Sequence, residues 1–219
     1  MAQQVLIVGL GHFGMSLAKS LSEKGAEVLA IDKRKNRVEE AAAFAAEALV
    51  MDATDEAELA KLEPAKRDSA VCTIGEGAKD ASIICTALLR QMGAPHVIAR
   101  ASDKMHQRIL KLVGAHQVVD PEQELGNRLA NKLIFKNIIV DSSVGEDLHI
   151  TEMCVLPSMV GKSLMELELP KKYGVMVVGI RRGEKGGIHR PLPSENFNEG
   201  DILIVVSSEA AIPKLIKGV

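Results

Sequence analysis

The sequence contains no tryptophan and a single tyrosine, and aromatic residues make up only 2% of it. With 47% of residues apolar, the core must be aliphatic, built from Val, Ile, Leu, Ala and Met. A charged fraction of 26% beside that apolar share is the composition of a globular protein. Cysteine is scarce as well: Cys72, Cys85 and Cys154 lie far apart, each inside an apolar run. An odd number, with no CxxC and no histidine beside any of them, argues against a disulfide framework and a structural zinc site. Buried reduced thiols are the expectation. There is no excess of either charge sign: a formal net charge of −2 gives no general attraction to nucleic acid or to an anionic membrane. No segment approaches the roughly 18 uninterrupted apolar residues of a membrane span. The opening MAQQVLIVGLGHFG has no basic stretch ahead of its apolar run, unlike a signal peptide. These absences predict a soluble cytoplasmic protein, and neither end has room for a helix-turn-helix DNA reader.

What the chain does contain is alternation. Short apolar runs at 4–8, 27–31, 48–51, 69–74, 96–99 and 117–119 are separated by segments with apolar residues three and four apart. Leu17 and Leu21 precede Gly25 as a helix stop, and Ile83, Ile84, Ala87 and Leu88 precede Gly93, Ala94 and Pro95. Strands this short and uniformly apolar are buried on both faces, as in a parallel sheet covered by helices. A Rossmann-type, doubly wound α/β domain with about six strands is therefore expected over 1–139. Its last helix, 121–137, carries Leu125, Leu129 and Leu133 every four residues, a stripe that either covers the sheet or packs on another subunit. The polar stretch 140–149 reads as a linker. After it, strands at 150–156, 175–181 and 201–206, a helical turn at 163–169, a glycine-rich turn at 183–187 and a helix from Glu209 form a small α+β module over 140–219.

The chemistry is concentrated in Gly9, Leu10, Gly11, His12, Phe13 and Gly14. A lone G-x-G-x-x-G is a weak signal, but this one directly follows an apolar strand and opens a helix. Gly9 permits the tight turn, Gly11 lets a phosphate approach the backbone, and Gly14 lets the helix pack on the strand. The helix amides and dipole then favour phosphate. Asp32 ends the second strand at the right distance to accept from ribose hydroxyls, and it disfavours a 2′-phosphate, an exclusion tempered by Lys33 and Arg34. Asp32 is expected to make no structural contact of its own. Asp52 reads either as an adenine contact or as the cap of a helix starting near Asp55. The turn after the fourth strand holds Ile74, Gly75 and Glu76, where ligands meet carboxyl strand ends.

Together these residues resemble the RCK (regulator of potassium conductance) domain, also called TrkA-N. The resemblance runs through VLIVGLGHFGMSLAKSL, the AIDK around Asp32, the DATD from Asp52, the TIGE turn and VIARASDKMHQRILKLVGAHQVVDPEQELGNRLA. The C-terminal part, from LPSMVGKSL to DILIVV, is similar to the RCK_C (TrkA-C) module. One copy of each resembles the Ktr-type regulatory subunit of bacterial potassium uptake. The resemblance implies dimers assembled into a ring, typically an octamer, beneath a membrane potassium-translocating subunit on the inner face of the membrane. It implies ATP or ADP, or alternatively NAD or NADH, in the Rossmann site. It places Gly9, Gly11, His12, Phe13 and Gly14 at the phosphates, Asp32 and Lys33 at the ribose, and Asp52, Ala53 and Thr54 at the adenine. Ile74, Gly75 and Glu76 fall beside the nucleotide, Arg100 reaches phosphate, and Glu122 helps hold Mg²⁺ or Ca²⁺. In the C-terminal module it implies cyclic di-AMP, with Ile180, Arg181, Arg182, His189, Arg190 and Pro191 as the patch, although arginines flanking a turn are commonplace. ATP-responsive relatives carry Arg where this loop has His12, which predicts weak ATP-over-ADP discrimination and favours NAD.

The competing class is an NAD(H)-dependent oxidoreductase. Hydride transfer needs an acid or base beside the nicotinamide. The histidines at 12, 96, 106, 116, 149 and 189 form no cluster in the sequence, so no enzyme is expected.

Overall fold

The computed structural model describes residues 2–144, 148–183, 186–208 and 210–218, and within them every side chain but those of Glu76 and Ser143. The chain divides into two compact units, Met1–Glu122 and Gln123–Val219. That boundary falls ahead of the one expected at 139/140.

In the first unit strands and helices alternate: β1 (Gln4–Val8), α1 (His12–Glu23), β2 (Glu27–Asp32), α2 (Lys35–Ala41), β3 (Glu47–Val50) and α3 (Glu56–Ala60). They continue as β4 (Ser69–Cys72), α4 (Lys79–Gln91), β5 (Val97–Arg100), α5 (Lys104–Leu112) and β6 (Gln117–Val119). The six strands form one sheet in the order β3-β2-β1-β4-β5-β6, and every pairing is parallel. This is the Rossmann order. Why both faces are apolar is visible along β1: Leu6 and Val8 join the core on one face, while Val5 and Ile7 join the core on the other. Helix starts follow local chemistry. Asp55 caps α3 by accepting from the Glu58 N–H at 3.1 Å, and Asp103 caps α5 through the His106 N–H at 2.8 Å.

The helix α6 (Pro121–Ile134) ends before the 137 expected for it, and Phe135 beyond it packs on the second unit's core. None of the described residues of α6 is buried, and Leu125, Leu129, Leu133 and Ile134 are all exposed. No helix among the described residues is long and apolar enough to cross a membrane.

The second unit contains β7 (Ile138–Ser143), β8 (His149–Cys154), α7 (Leu164–Leu167), α8 (Leu169–Tyr173), β9 (Met176–Arg181), β10 (Ile188–His189), β11 (Ile202–Ser207) and α9 (Ala211–Gly218). Its sheet is antiparallel, in the order β10-β9-β11-β8-β7. Here the sequence reading needs correction. The expected linker 140–149 begins inside a strand and ends inside its partner, with Asp141 opposite Thr151. Its Asp141 accepts across the hairpin from Thr151 Oγ1 at 2.9 Å and the His149 ring at 3.2 Å, and from Asn131 Nδ2 of α6 at 3.1 Å. Residues 145–147 of that stretch, and 184–185 of the glycine-rich turn, lie outside the described residues. A second correction concerns the thiols. Cys154 is only half-buried, whereas Cys72 and Cys85 are buried in the same core, with Cys72 Sγ 3.7 Å from the Ser82 carbonyl.

His106 is 2% exposed, its Nδ1 accepts from the Ser102 N–H at 3.3 Å, and its Nε2 is buried with no partner among the described residues. Burial pushes its pKa below the usual 6.5, outweighing the attraction of Asp103. The unfolded chain therefore takes up a proton near pH 6.5 that the folded chain resists, so this stability is present above 6.5 and lost as pH falls. Calorimetric melts should show a falling Tm between pH 7 and 5. In His106→Gln the fall should shrink without vanishing, because burial pushes His116 in the same direction.

Candidate functional site: a crevice at the carboxyl ends of the parallel strands

The order of the parallel sheet reverses between β1 and β4, and ligands of such sheets bind at the carboxyl ends of the strands at that switch point. A crevice of about 440 Å³ lies there, within the range of small-molecule sites. Gly9, Gly11, Asp32, Lys33, Asp52, Ala53, Thr54, Ile74, Gly75 and Arg100 all line it.

The glycine loop is shaped by three different constraints. Gly9 has φ +97, a left-handed conformation that residues with a Cβ rarely adopt, and its N–H donates to the Ile31 carbonyl at 2.8 Å. A Cβ on Gly14 would lie 2.0 Å from the Gly9 carbonyl oxygen and 2.4 Å from Thr73 Oγ1. Gly14 thus lets α1 sit directly on the loop, where the Thr73 hydroxyl donates to the Gly9 carbonyl at 2.5 Å. Gly11 differs from both: a Cβ there would meet nothing within 4 Å. It is the N-cap of α1, no side chain caps that end, and no acidic residue stands in the first turn. The free amides and dipole of a helix of 12 residues thus open beside a crevice-lining glycine, which suits a phosphate.

Asp32 is 8% exposed and lines the crevice at the end of β2. It accepts from the Leu10 N–H at 2.7 Å, the Arg34 N–H at 2.9 Å, Arg34 Nε at 3.2 Å and Arg34 Nη2 at 3.4 Å. Burial pushes its pKa up, but the hydrogen bonds from Arg34 and Leu10 outweigh it and hold the carboxyl below its usual value. The expectation that Asp32 makes no structural contact is therefore corrected: the residue ties β2 to the glycine loop. Asp52 makes an Asx turn, accepting from the Thr54 N–H at 2.9 Å and its hydroxyl at 2.7 Å, bonds that lower its pKa. Helix α3 is capped by Asp55, so the capping role considered for Asp52 belongs elsewhere.

At the far end, a Cβ on Gly75 would lie 2.9 Å from Arg100 Nη1, so the glycine makes room for the guanidinium. Arg100 is ion-paired with Glu122, through both Nε and Nη2. Glu122 reaches the crevice only through this pair and does not line it. His12 is exposed, Phe13 is half-buried and Gly14 is buried; none of the three lines the crevice. The side chain of Glu76 lies outside the described residues. Among the described residues no group of three or more His, Cys, Asp or Glu could hold a metal ion.

Sequence reasoning gave Thr73 no role of its own and read Arg34 only as a charge tempering the exclusion of a 2′-phosphate. Thr73 follows directly on β4, and Arg34 stands two residues after Asp32, so strand-end position was the available signal. In the C-terminal module Arg182 and His189 meet at Glu195, but the candidate residues do not all converge. Ile180 belongs to the core and Pro191 is buried, whereas Arg181, next along the strand, pairs with Glu152 at 2.5 Å. Strand alternation places Ile180 and Arg181 on opposite faces. Arg182 is paired with Asp201 and Glu195, and His189 with Glu195 at 2.9 Å.

The sheet order and the glycine loop define a Rossmann-type α/β protein with a nucleotide-sized crevice, joined to a small antiparallel module. Comparison with known proteins narrows this class. The TrkA-N domain matches residues 5–121, and the TrkA-C domain matches residues 155–217. The chain is 34% identical to Ktr system potassium uptake protein C of Bacillus subtilis (strain 168), over 100% of this chain and 98% of that one. It is also 34% identical to Ktr system potassium uptake protein A of Vibrio alginolyticus, over 98% of this chain and 97% of the relative. The GsuK channel bound to NAD shares the fold, with a TM-score of 0.64 at 19% identity, over 99% of this chain and 40% of that one. The chain belongs to the TrkA-N/TrkA-C family that includes the Ktr system potassium uptake proteins.

The glycines make a test with opposite outcomes. Gly14→Ala should lower stability by about 3 kcal/mol or more, because backbone must move to admit the methyl group. Gly11→Ala should keep the parent's Tm and lose nucleotide binding, since the methyl occupies crevice space. Asp32→Ala should cost about 1–3 kcal/mol by leaving the Leu10 N–H unpaired. Thermal melts paired with calorimetric titration check all three.

Proposed function

We propose that this chain is the regulatory subunit of a potassium uptake system of the Ktr type, cytoplasmic and held at the membrane by a potassium-translocating partner. The observation that carries the reading is the full-length match to two Ktr system proteins, on a chain whose crevice has the parts of an adenosine nucleotide site. In this reading the phosphates sit on Gly11 and the head of α1, the ribose diol on Asp32, and the adenine beside Asp52, Ala53 and Thr54. Arg100 reaches toward the outer phosphates, supplying a charged and planar donor pair. Binding, not turnover, is the working event. A nucleotide moves the subunit between conformations only so far as it binds one better than the other.

ADP, ATP and NAD(H) are all ligands of the size and chemistry this crevice suits, and they compete for it. A Mg²⁺ or Ca²⁺ ion at Glu122 must displace Arg100 from that carboxylate, so cation binding is coupled to phosphate, which gives Arg100 another partner. A cyclic dinucleotide on the C-terminal module must likewise take Arg181 from Glu152 and His189 from Glu195. Self-association, to a dimer and on to an octameric ring, uses the exposed leucines of α6, since an unpartnered apolar stripe is costly to leave in water.

Calorimetric titration of the purified protein with ADP, ATP and NAD should show mutually exclusive binding at one site per chain; no binding of any of them would overturn the reading. Because His12 lies outside the crevice lining, ATP and ADP should bind with similar affinities. His12→Arg should widen the gap in favour of ATP by adding a permanent charge at the head of α1. Light scattering should show a dimer or larger even-numbered species that Leu129→Ser weakens. A strictly monomeric parent at micromolar concentration would remove the assembly part of the proposal.

A further inference from the structure

The ribose carboxylate is already fully engaged. An ionised carboxylate offers about four lone-pair positions, and four N–H donors approach Asp32: Leu10 N, Arg34 N, Arg34 Nε and Arg34 Nη2. The first two are backbone groups of the glycine loop and of the turn into α2, so they cannot leave without moving the chain. The other two belong to a guanidinium whose side chain is 52% exposed and which itself lines the crevice. That guanidinium therefore holds the two acceptor positions that the two hydroxyls of a ribose need. Its planar fork matches the diol in donor number.

We propose that Arg34 is an internal occupant of the ribose seat, which every adenosine ligand must displace before its diol can bind Asp32. The inference rests on the nucleotide reading above and adds to it a residue that sets affinity and sugar specificity. Binding at this seat is an exchange of donors on one carboxylate, so the net gain from the ribose is small while Arg34 is present. A ligand without the diol gains nothing from displacing the guanidinium and leaves it in place. Arg34 also shields the carboxylate when the crevice holds no ribose, which explains how a buried anion at a crevice wall stays paired.

The test is calorimetric titration of the parent, Arg34→Ala and Arg34→Lys with ADP, NAD and 2′,3′-dideoxy-ADP, each variant first shown to melt cooperatively. Arg34→Ala should bind ADP and NAD about two- to fivefold more tightly, the size expected when a half-exposed ion pair no longer has to be broken. Arg34→Lys keeps the charge without the fork and should fall between the two. The gain should be absent for the dideoxy ligand, a distinction that a general effect on folding or on pocket shape would not produce. Unchanged or weaker ADP binding in Arg34→Ala, or an equal gain for the dideoxy ligand, would overturn the inference while leaving the nucleotide reading intact. A parent that binds none of the three ligands would overturn both.

Discussion

The hydrogen bond from the Leu10 N–H to the Asp32 carboxylate, at 2.7 Å, joins the glycine loop to the end of the neighbouring strand. Most of the crevice depends on that tie. It sets where the head of α1 opens, because Leu10 precedes the N-cap Gly11. It also keeps an anion buried beside the crevice, which is tolerable only because backbone and guanidinium donors surround it. The same carboxylate therefore works twice, as a strut of the loop and as the acceptor proposed for ribose. Its two roles use different lone pairs, so they need not compete.

A second tie runs through Thr73. Its hydroxyl donates to the carbonyls of both Val8 and Gly9, and its Oγ1 fills the space that a side chain on Gly14 would need. The strands β1 and β4 are adjacent at the switch point, so this residue closes the loop from the side opposite Asp32. With both ties in place the loop has little freedom, and the unpaired amides of α1 stay aimed at one volume. Preorganisation of this kind lowers the cost of ordering when a ligand arrives.

Several arginines of this protein are paired in place. Arg34 sits on Asp32, Arg100 on Glu122, Arg181 on Glu152, and Arg182 on Asp201 and Glu195. An anionic ligand that recruits one of these arginines must therefore exchange partners with its carboxylate. That arrangement favours modest affinities and reversible binding, which suits a switch better than a store. It also keeps the charge of each of these arginines compensated when no ligand is present.

Local sequence determined a good deal. The short β-branched runs specified six parallel strands, because only a doubly covered sheet buries residues such as Leu6 and Ile7 on alternate faces at once. The spacing of Gly9, Gly11 and Gly14 specified a strand–turn–helix loop, and the carboxylate of Asp32 was legible from its place at a strand end. Other features were decided only by the fold. The polar stretch 140–149 looked like a linker because a sequence cannot show that Asp141 and Thr151 will face each other across a hairpin. Cys72 and Cys85 became neighbours only when α4 packed beside β4. Arg34 was read as a charge near the ribose, but its fork on Asp32 depends on a backbone turn that places both groups on one side. Pairings between residues distant in sequence are products of chain topology, and side-chain hydrogen bonds at strand ends depend on turn geometry that periodicity does not encode.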